Sequence, residues 1–324
     1  MDSGTDPIRA ALGDSEDLYD IATWEQRTGL DRLSARVYGA LRRGSRAAVI
    51  FLALLLFFVQ LALSGYAVIR HPSLGVVTAL SVIPALGLAG FVWYEDPTLR
   101  EPFDVLAVTF LLGVLFASFA AFVDTILGVL FQAIPVIGMA LFFYLAVGPV
   151  EETVKWSAVR MYAYRSDSFD AVIDGAVYGA VAGLGFATIE NSIYITRAVL
   201  TATAAPNILQ PALQAATARA LAGPGHVLYA AFSGYYLGLA KYNPGNRGPI
   251  IVKGLLIAAL IHATYDTIVT YVGFSGLGFV GFVVVYDGLV GYLLYRKLSR
   301  YRSKYREVQL EAPEEAEPAG EPTE

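Results

Sequence analysis

Long apolar blocks constrain this chain more than any other feature of its sequence. Runs of mostly apolar residues recur at about 47–69, 74–94, 103–123, 131–164, 172–199, 220–240, 250–272 and 276–295. A bilayer core takes about 20 such residues per helix. The block at 131–164 is too long for one simple span, and none of the blocks shows the apolar–polar alternation of a barrel strand. The expected fold is therefore all-α: a polytopic helical membrane protein of about eight transmembrane helices. Composition agrees, because only 16% of residues are charged against about 25% in a soluble protein. There is no Cys, which excludes disulfides, thiolate metal sites and Cys nucleophiles.

Charge gives the chain its orientation and its ends. With a cytoplasmic N-terminus, the inner loops hold Arg42, Arg43, Arg46, Arg100, Arg160, Arg165, Lys241, Arg247, Lys253 and the cluster Arg296, Lys297, Arg300, Arg302, Lys304 and Arg306. Only Arg70, Arg197 and Arg219 fall outside. By the positive-inside rule both termini are cytoplasmic and the protein is a multi-pass component of the cell membrane. Residues 1–46 read as an acidic cytoplasmic arm without the basic start and short apolar core of a signal peptide. Residues 47–295 read as the membrane domain, and 296–324 as a basic, then acidic, disordered tail. The net charge of -5 comes mostly from the two ends and argues against a nucleic-acid partner. Small residues mark the expected packing seams: Gly175, Gly179 and Gly183 recur every four residues, as do Gly234 and Gly238. Such stripes let helix backbones approach closely, so these two spans belong at the centre of the bundle.

Ionisable residues within apolar blocks are costly, about 2.5–3.5 kcal/mol each on insertion scales, and point to function. Four groups stand out. In the first, Glu151 and Lys155 share a helical face with Glu152 one position round, on a helix centred on Glu151. An interfacial charge pair is the bland alternative. Glu190, followed by Asn191, lies near the middle of its span, where a lone Glu could also stay protonated. His226 follows Gly223-Pro224-Gly225 at the expected start of the sixth span, where a packing histidine is equally at home. His262 and Asp266 are four apart in the seventh span, so the carboxylate can hold one imidazole nitrogen and leave the other for water, metal or substrate. Asp104, Asp124 and Asp287 lie near helix ends or stand isolated, and the tyrosines read as packing or interface anchors.

Taken in order, Glu151-Glu152-x-x-Lys155, Phe186-Ala187-x-x-Glu190-Asn191, His226 and His262-x-x-x-Asp266 resemble the PrsW family of intramembrane proteases. That family is similar to the wider CAAX-protease and bacteriocin-processing group. The resemblance runs from about residue 131 to 272 and implies that Glu151, Glu152, Glu190, His226 and His262 face one polar cavity. It also implies peptide-bond hydrolysis of a membrane-anchored protein, and bacterial relatives cut a membrane-bound anti-sigma factor. The family is termed metalloprotease, which implies a divalent metal, Zn²⁺ being the expected ion. This sequence has no zincin His-Glu-x-x-His, and it has Glu190 where the CAAX-type enzymes have a His. Two mechanisms stay open at this point. Glu151 or Glu152 activates a water held by His262 while His226 stabilises the oxyanion. Alternatively Glu190, His226 and His262 hold Zn²⁺ and a Glu of the pair acts as base. A proton- or ion-coupled transporter is the rival class, because the same residue types build intramembrane relays.

The loop asymmetry yields a labelling test on a chain with no native Cys. A Cys introduced near Asn246 is expected to react with a membrane-impermeant maleimide only from the cytoplasm, and one near Gly273 only from outside. The opposite pattern would overturn the orientation.

Overall fold

A computed structural model describes Arg27 and residues 29–98, 100–202 and 207–311. All regular elements among these residues are helical: α1 (Gly29–Arg70), α2 (Ser73–Tyr94), α3 (Phe103–Gln132), α4 (Gly138–Phe142), α5 (Gly148–Met161), α6 (Asp174–Thr201), α7 (Leu209–Lys241), α8 (Arg247–Val272) and α9 (Gly276–Glu311). Residues Met1–Leu52 and Ala53–Glu324 form two units, and the second carries everything that follows. Among the described residues, five stretches are long and apolar enough to cross a membrane: Ile50–Arg70, Ser73–Tyr94, Phe103–Gln132, Pro244–Val272 and Gly276–Glu307. Their large apolar side chains, such as Leu80, Leu111 and Val285, face outward, as expected where lipid replaces water.

Helices α6 and α7, with 28 and 33 residues, are long enough to cross a membrane but less hydropathic, and protein surrounds them. A Cβ at Gly175, Gly179 or Gly183 of α6 would overlap the carbonyl oxygens of Gly234, Ala230 or His226 on α7. On the other side of α6, a Cβ at Gly185 would strike the carbonyl of Phe110, and one at Gly113 of α3 would strike that of Ala182. The two glycine stripes thus interlock, and α6 is held between α3 and α7. Tyr178, Phe186, Tyr229 and Leu237 fill the spaces between the glycine contacts.

Three boundaries differ from the sequence reading. The block at 131–164 is not one span: α3 ends at Gln132, and the chain turns through Val136, a β-branched residue at φ 64. A new helix then starts at Gly138, because Pro135 cannot continue the ladder. That helix is interrupted by a π-helical turn over Phe143–Val147, in which the Gly148 N–H donates to the Phe143 carbonyl. The wider turn adds one residue ahead of Pro149, which has no N–H to give. The helix expected as the sixth span begins not at 220 but at Leu209. Its first turns hold Gln210, Gln214, Thr217 and Arg219, which hide a helix from an apolar count. Finally, α9 continues to Glu311, with Leu298 buried, so the basic cluster is helical rather than part of a disordered tail. Most of the N-terminal arm and the acidic end, 312–324, lie outside the described residues.

The α6–α7 contact supplies its own test. Gly179→Leu must separate two backbones and is expected to destabilise the protein by about 3 kcal/mol or more. Gly288→Leu, where nothing lies within 4 Å, should stay within about 0.5 kcal/mol of wild type. Thermal unfolding in detergent ranks the two, and equal melting temperatures would refute the close-packed seam.

Candidate active site

The π turn and Pro149 set the phase at which α5 enters the bundle, and its first turns turn Glu151, Glu152 and Lys155 inward. Glu152 and Lys155 are fully buried and Glu151 nearly so. Lys155 Nζ donates to Glu152 Oε1 at 2.8 Å and to Glu151 Oε2 at 3.4 Å. It also lies 2.9 Å from His226 Nδ1 and 4.2 Å from the centre of the Phe186 ring. The pair belongs to a network buried inside the protein.

An ammonium has only protons to give, so the nitrogen it touches on His226 is an acceptor. The proton of that imidazole then sits on Nε2, 2.5 Å from Glu190 Oε2. Arg219 contacts the same carboxylate oxygen at 2.6 Å, and its Nε donates to Asn191 Oδ1 at 3.0 Å. The Asn191 amide in turn donates to the Ser81 hydroxyl and carbonyl on α2. Asn191 is therefore a brace for Arg219 and stands back from the cavity.

His262 is held by the other glutamate. Its Nδ1 is 2.9 Å from Glu152 Oε1. Its Nε2 is 3.4 Å from Asp266 Oδ2 and 3.7 Å from Glu151 Oε2. Asp266 does meet His262 one turn away, as the spacing predicts, but it approaches the nitrogen that Glu152 leaves free. The rings of His226 and His262 meet edge to face, with centroids 5.3 Å apart.

Glu151, Glu190, His226, His262 and Asp266 all line one cavity of about 550 Å³, and Glu152 lies behind that wall. Ligand atoms of Glu151, His226 and His262 come within 4.8 Å of one another. Glu190, which the sequence reading grouped with the two histidines, instead bridges His226 and Arg219. The donor set of one carboxylate and two imidazoles fits a divalent cation. Each imidazole has its other nitrogen on a carboxylate, Glu152 for His262 and Glu190 for His226, as metal-binding histidines commonly do.

Two wall residues escaped the sequence reading. Arg219 reads as an outer-loop charge when the span starts at 220, whereas the helix starts at Leu209. It lies seven residues before His226, two turns away on one face of α7, and that periodicity was the available signal. Asp124 lines the cavity from α3 with one carboxylate oxygen buried and unpartnered. Nothing near it in sequence marked it.

The description "PrsW family intramembrane metalloprotease" belongs to a family model that matches residues 101–289. Among curated proteins, Protease PrsW of Geobacillus kaustophilus is 31% identical over 57% of this chain and 76% of its own length. Protease PrsW of Bacillus subtilis is 28% identical over 60% of this chain and 83% of its own. That of Clostridioides difficile is 30% identical over 58% and 77%. No solved structure matches the chain. The family match takes in more than half of the chain, including Glu151, Glu152, Lys155, Glu190, Arg219, His226, His262 and Asp266, so the chain belongs to the PrsW family of intramembrane metalloproteases and is a peptide hydrolase.

Proposed function

We propose that this protein cleaves a membrane-anchored protein substrate at the wall formed by Glu151, His226 and His262. The observation that carries this reading is the approach of those three ligand groups on one cavity deep among the helices. A 550 Å³ space has room for an extended peptide segment and water. The proposed topology has α6, α7 and the helix from Gly138 to Met161 as spans beside the five apolar ones, making eight, with both termini cytoplasmic. The pairing of Arg219 with Glu190 supports that orientation, because it removes one of the three basic residues from the outer side.

Glu151 is the cavity carboxylate that takes a proton from water, through Oε1, because Oε2 faces Lys155 and the two histidines and Glu152 does not reach the cavity. The water oxygen attacks the scissile carbonyl carbon, and its proton passes to Glu151. As the C–N bond breaks, Glu151 returns that proton to the departing amine. Arg219 lies on the same wall, where its guanidinium can meet the negative charge that develops on the carbonyl oxygen. Glu152 keeps His262 in one tautomer, and Lys155 sets the spacing of the two glutamates.

Glu151 Oε2, His226 Nδ1 and His262 Nε2 would hold the divalent metal, with Zn²⁺ as the proposed ion. For that, the Lys155 ammonium has to leave His226 Nδ1, and Glu152, already its nearest carboxylate, can retain it. Bound there, Zn²⁺ supplies Lewis-acid chemistry, lowering the pKa of a water to about 7. The transporter reading loses ground to the family membership.

In proteoliposomes with a membrane-anchored reporter, Glu151→Gln and His262→Ala are expected to lower cleavage by at least about 100-fold. Asp266→Asn should lower it by about 10–100-fold, because an amide can still accept one hydrogen bond near His262. Glu152→Gln should also be inactive, through loss of both Lys155 and His262. Melting temperatures within a few degrees of wild type would exclude unfolding as the cause. Undiminished cleavage by Glu151→Gln would sink this mechanism. Metal analysis supplies an independent readout: one bound Zn²⁺ per chain is expected in wild type and none in His262→Ala.

A further inference from the structure

Some 16 residues before Glu190, about 24 Å along α6, a second group of carboxylates comes together outside the catalytic cavity. Asp96 and Glu101 flank the α2–α3 loop, Asp174 begins α6, and their ligand oxygens lie within 4.8 Å of one another. Asp96 Oδ1 accepts from the Thr98 amide and hydroxyl, leaving Oδ2 buried and unpartnered. Asp174 Oδ2 accepts from the amides of Asp170 and Ala171, both at 2.7 Å, and Oδ1 has only the Thr98 hydroxyl at 3.4 Å. Glu101 is 4% exposed, and neither of its carboxylate oxygens has a hydrogen-bond partner.

Among the described residues no Lys or Arg is ion-paired with these three. Arg100 stacks on Trp93, and Lys241 donates to the carbonyls of Tyr164 and Phe169. Buried, uncompensated carboxylates are expensive. The cluster thus demands a positive partner, either a proton or a cation. A proton shared by Glu101 and Asp96 Oδ2 would match those two oxygens and leave the second buried oxygen of Glu101 unmatched.

We infer that Asp96, Glu101 and Asp174 form a second cation site, for a hard divalent ion such as Mg²⁺ or Ca²⁺. The donors are all oxygen, carboxylates with a hydroxyl beside them, which suits hard ions and not the imidazole-seeking metals of the catalytic wall. Occupancy ties the α2–α3 loop to the first turn of α6, the helix that carries Glu190. The site therefore acts as a clamp on the bundle, separate from the chemistry.

The test uses purified full-length protein, freed of metal by chelation and then titrated with Mg²⁺ or Ca²⁺. The melting temperature is expected to rise by several degrees at millimolar ion. Tb³⁺ should bind with luminescence excited through tryptophan, Trp93 standing three residues before Asp96. Glu101→Gln, which keeps the shape of the side chain, is expected to abolish both responses, and Glu151→Gln to retain them. No cation response in wild type would overturn the site, as would a response that survives Glu101→Gln. Loss of the response in Glu151→Gln would trace it to the catalytic cavity and refute the assignment. If Glu101→Gln is more stable than wild type in metal-free buffer and wild type ignores both ions, a proton occupies the cluster and the inference fails.

Discussion

The buried ammonium of Lys155 organises everything around it. Two glutamates this close, with little water to separate them, would repel, and a neutral α5 would have no reason to bring them inward. The ammonium reverses that: it reaches both carboxylates and one imidazole from a single fully buried position. Because it can only donate, it also dictates the proton position on His226, and through it the bond to Glu190. A buried ion pair is seldom retained for stability alone, since its desolvation offsets most of the attraction. Here the charge arrangement defines tautomers and spacing across four helices.

That network rests on a backbone constraint. Glycines at 175, 179 and 183 let α6 lie against α7 with carbonyls in the gaps. The helices come close enough for Glu190 to reach His226 and Arg219 directly. Farther apart, Glu190 would need a water to bridge to its partners, and the imidazole would lose its fixed orientation. The glycine stripe and the polar cluster are two halves of one device, the first giving proximity and the second using it.

Much of this was legible in the sequence because the signals were local. Charges inside apolar blocks stand out against lipid, and the Gly-x-x-x-Gly rows and the His262–Asp266 spacing follow from 3.6 residues per turn. What stayed hidden depends on contacts between helices. Glu152, rather than Asp266, fixes the tautomer of His262, and no spacing links residues 110 positions apart. Arg219 was lost to a boundary, because the polar turns at the start of α7 dilute its apolar count. Asp124 gave no local sign, since only the packing of α3 against α5 and α6 brings it to the cavity. Asp96, Glu101 and Asp174 likewise become a cluster only when α6 returns beside the α2–α3 loop.

The low hydropathy of α6 and α7 bears on how such a chain enters a membrane during synthesis. Alone in lipid, α6 would present Glu190 and Asn191, and α7 would present Arg219 and His226, each at the cost charged groups carry there. As a hairpin the two helices satisfy each other, since Arg219 meets Glu190 and Asn191 while glycine rows close the gap. The strongly apolar α2 and α3 leave the ribosome first and supply the remaining partners, Ser81 for Asn191 and the Phe110 backbone for Gly185. The order of helices along the chain thus doubles as an order of insertion, in which the outer wall is laid down before the reactive centre arrives.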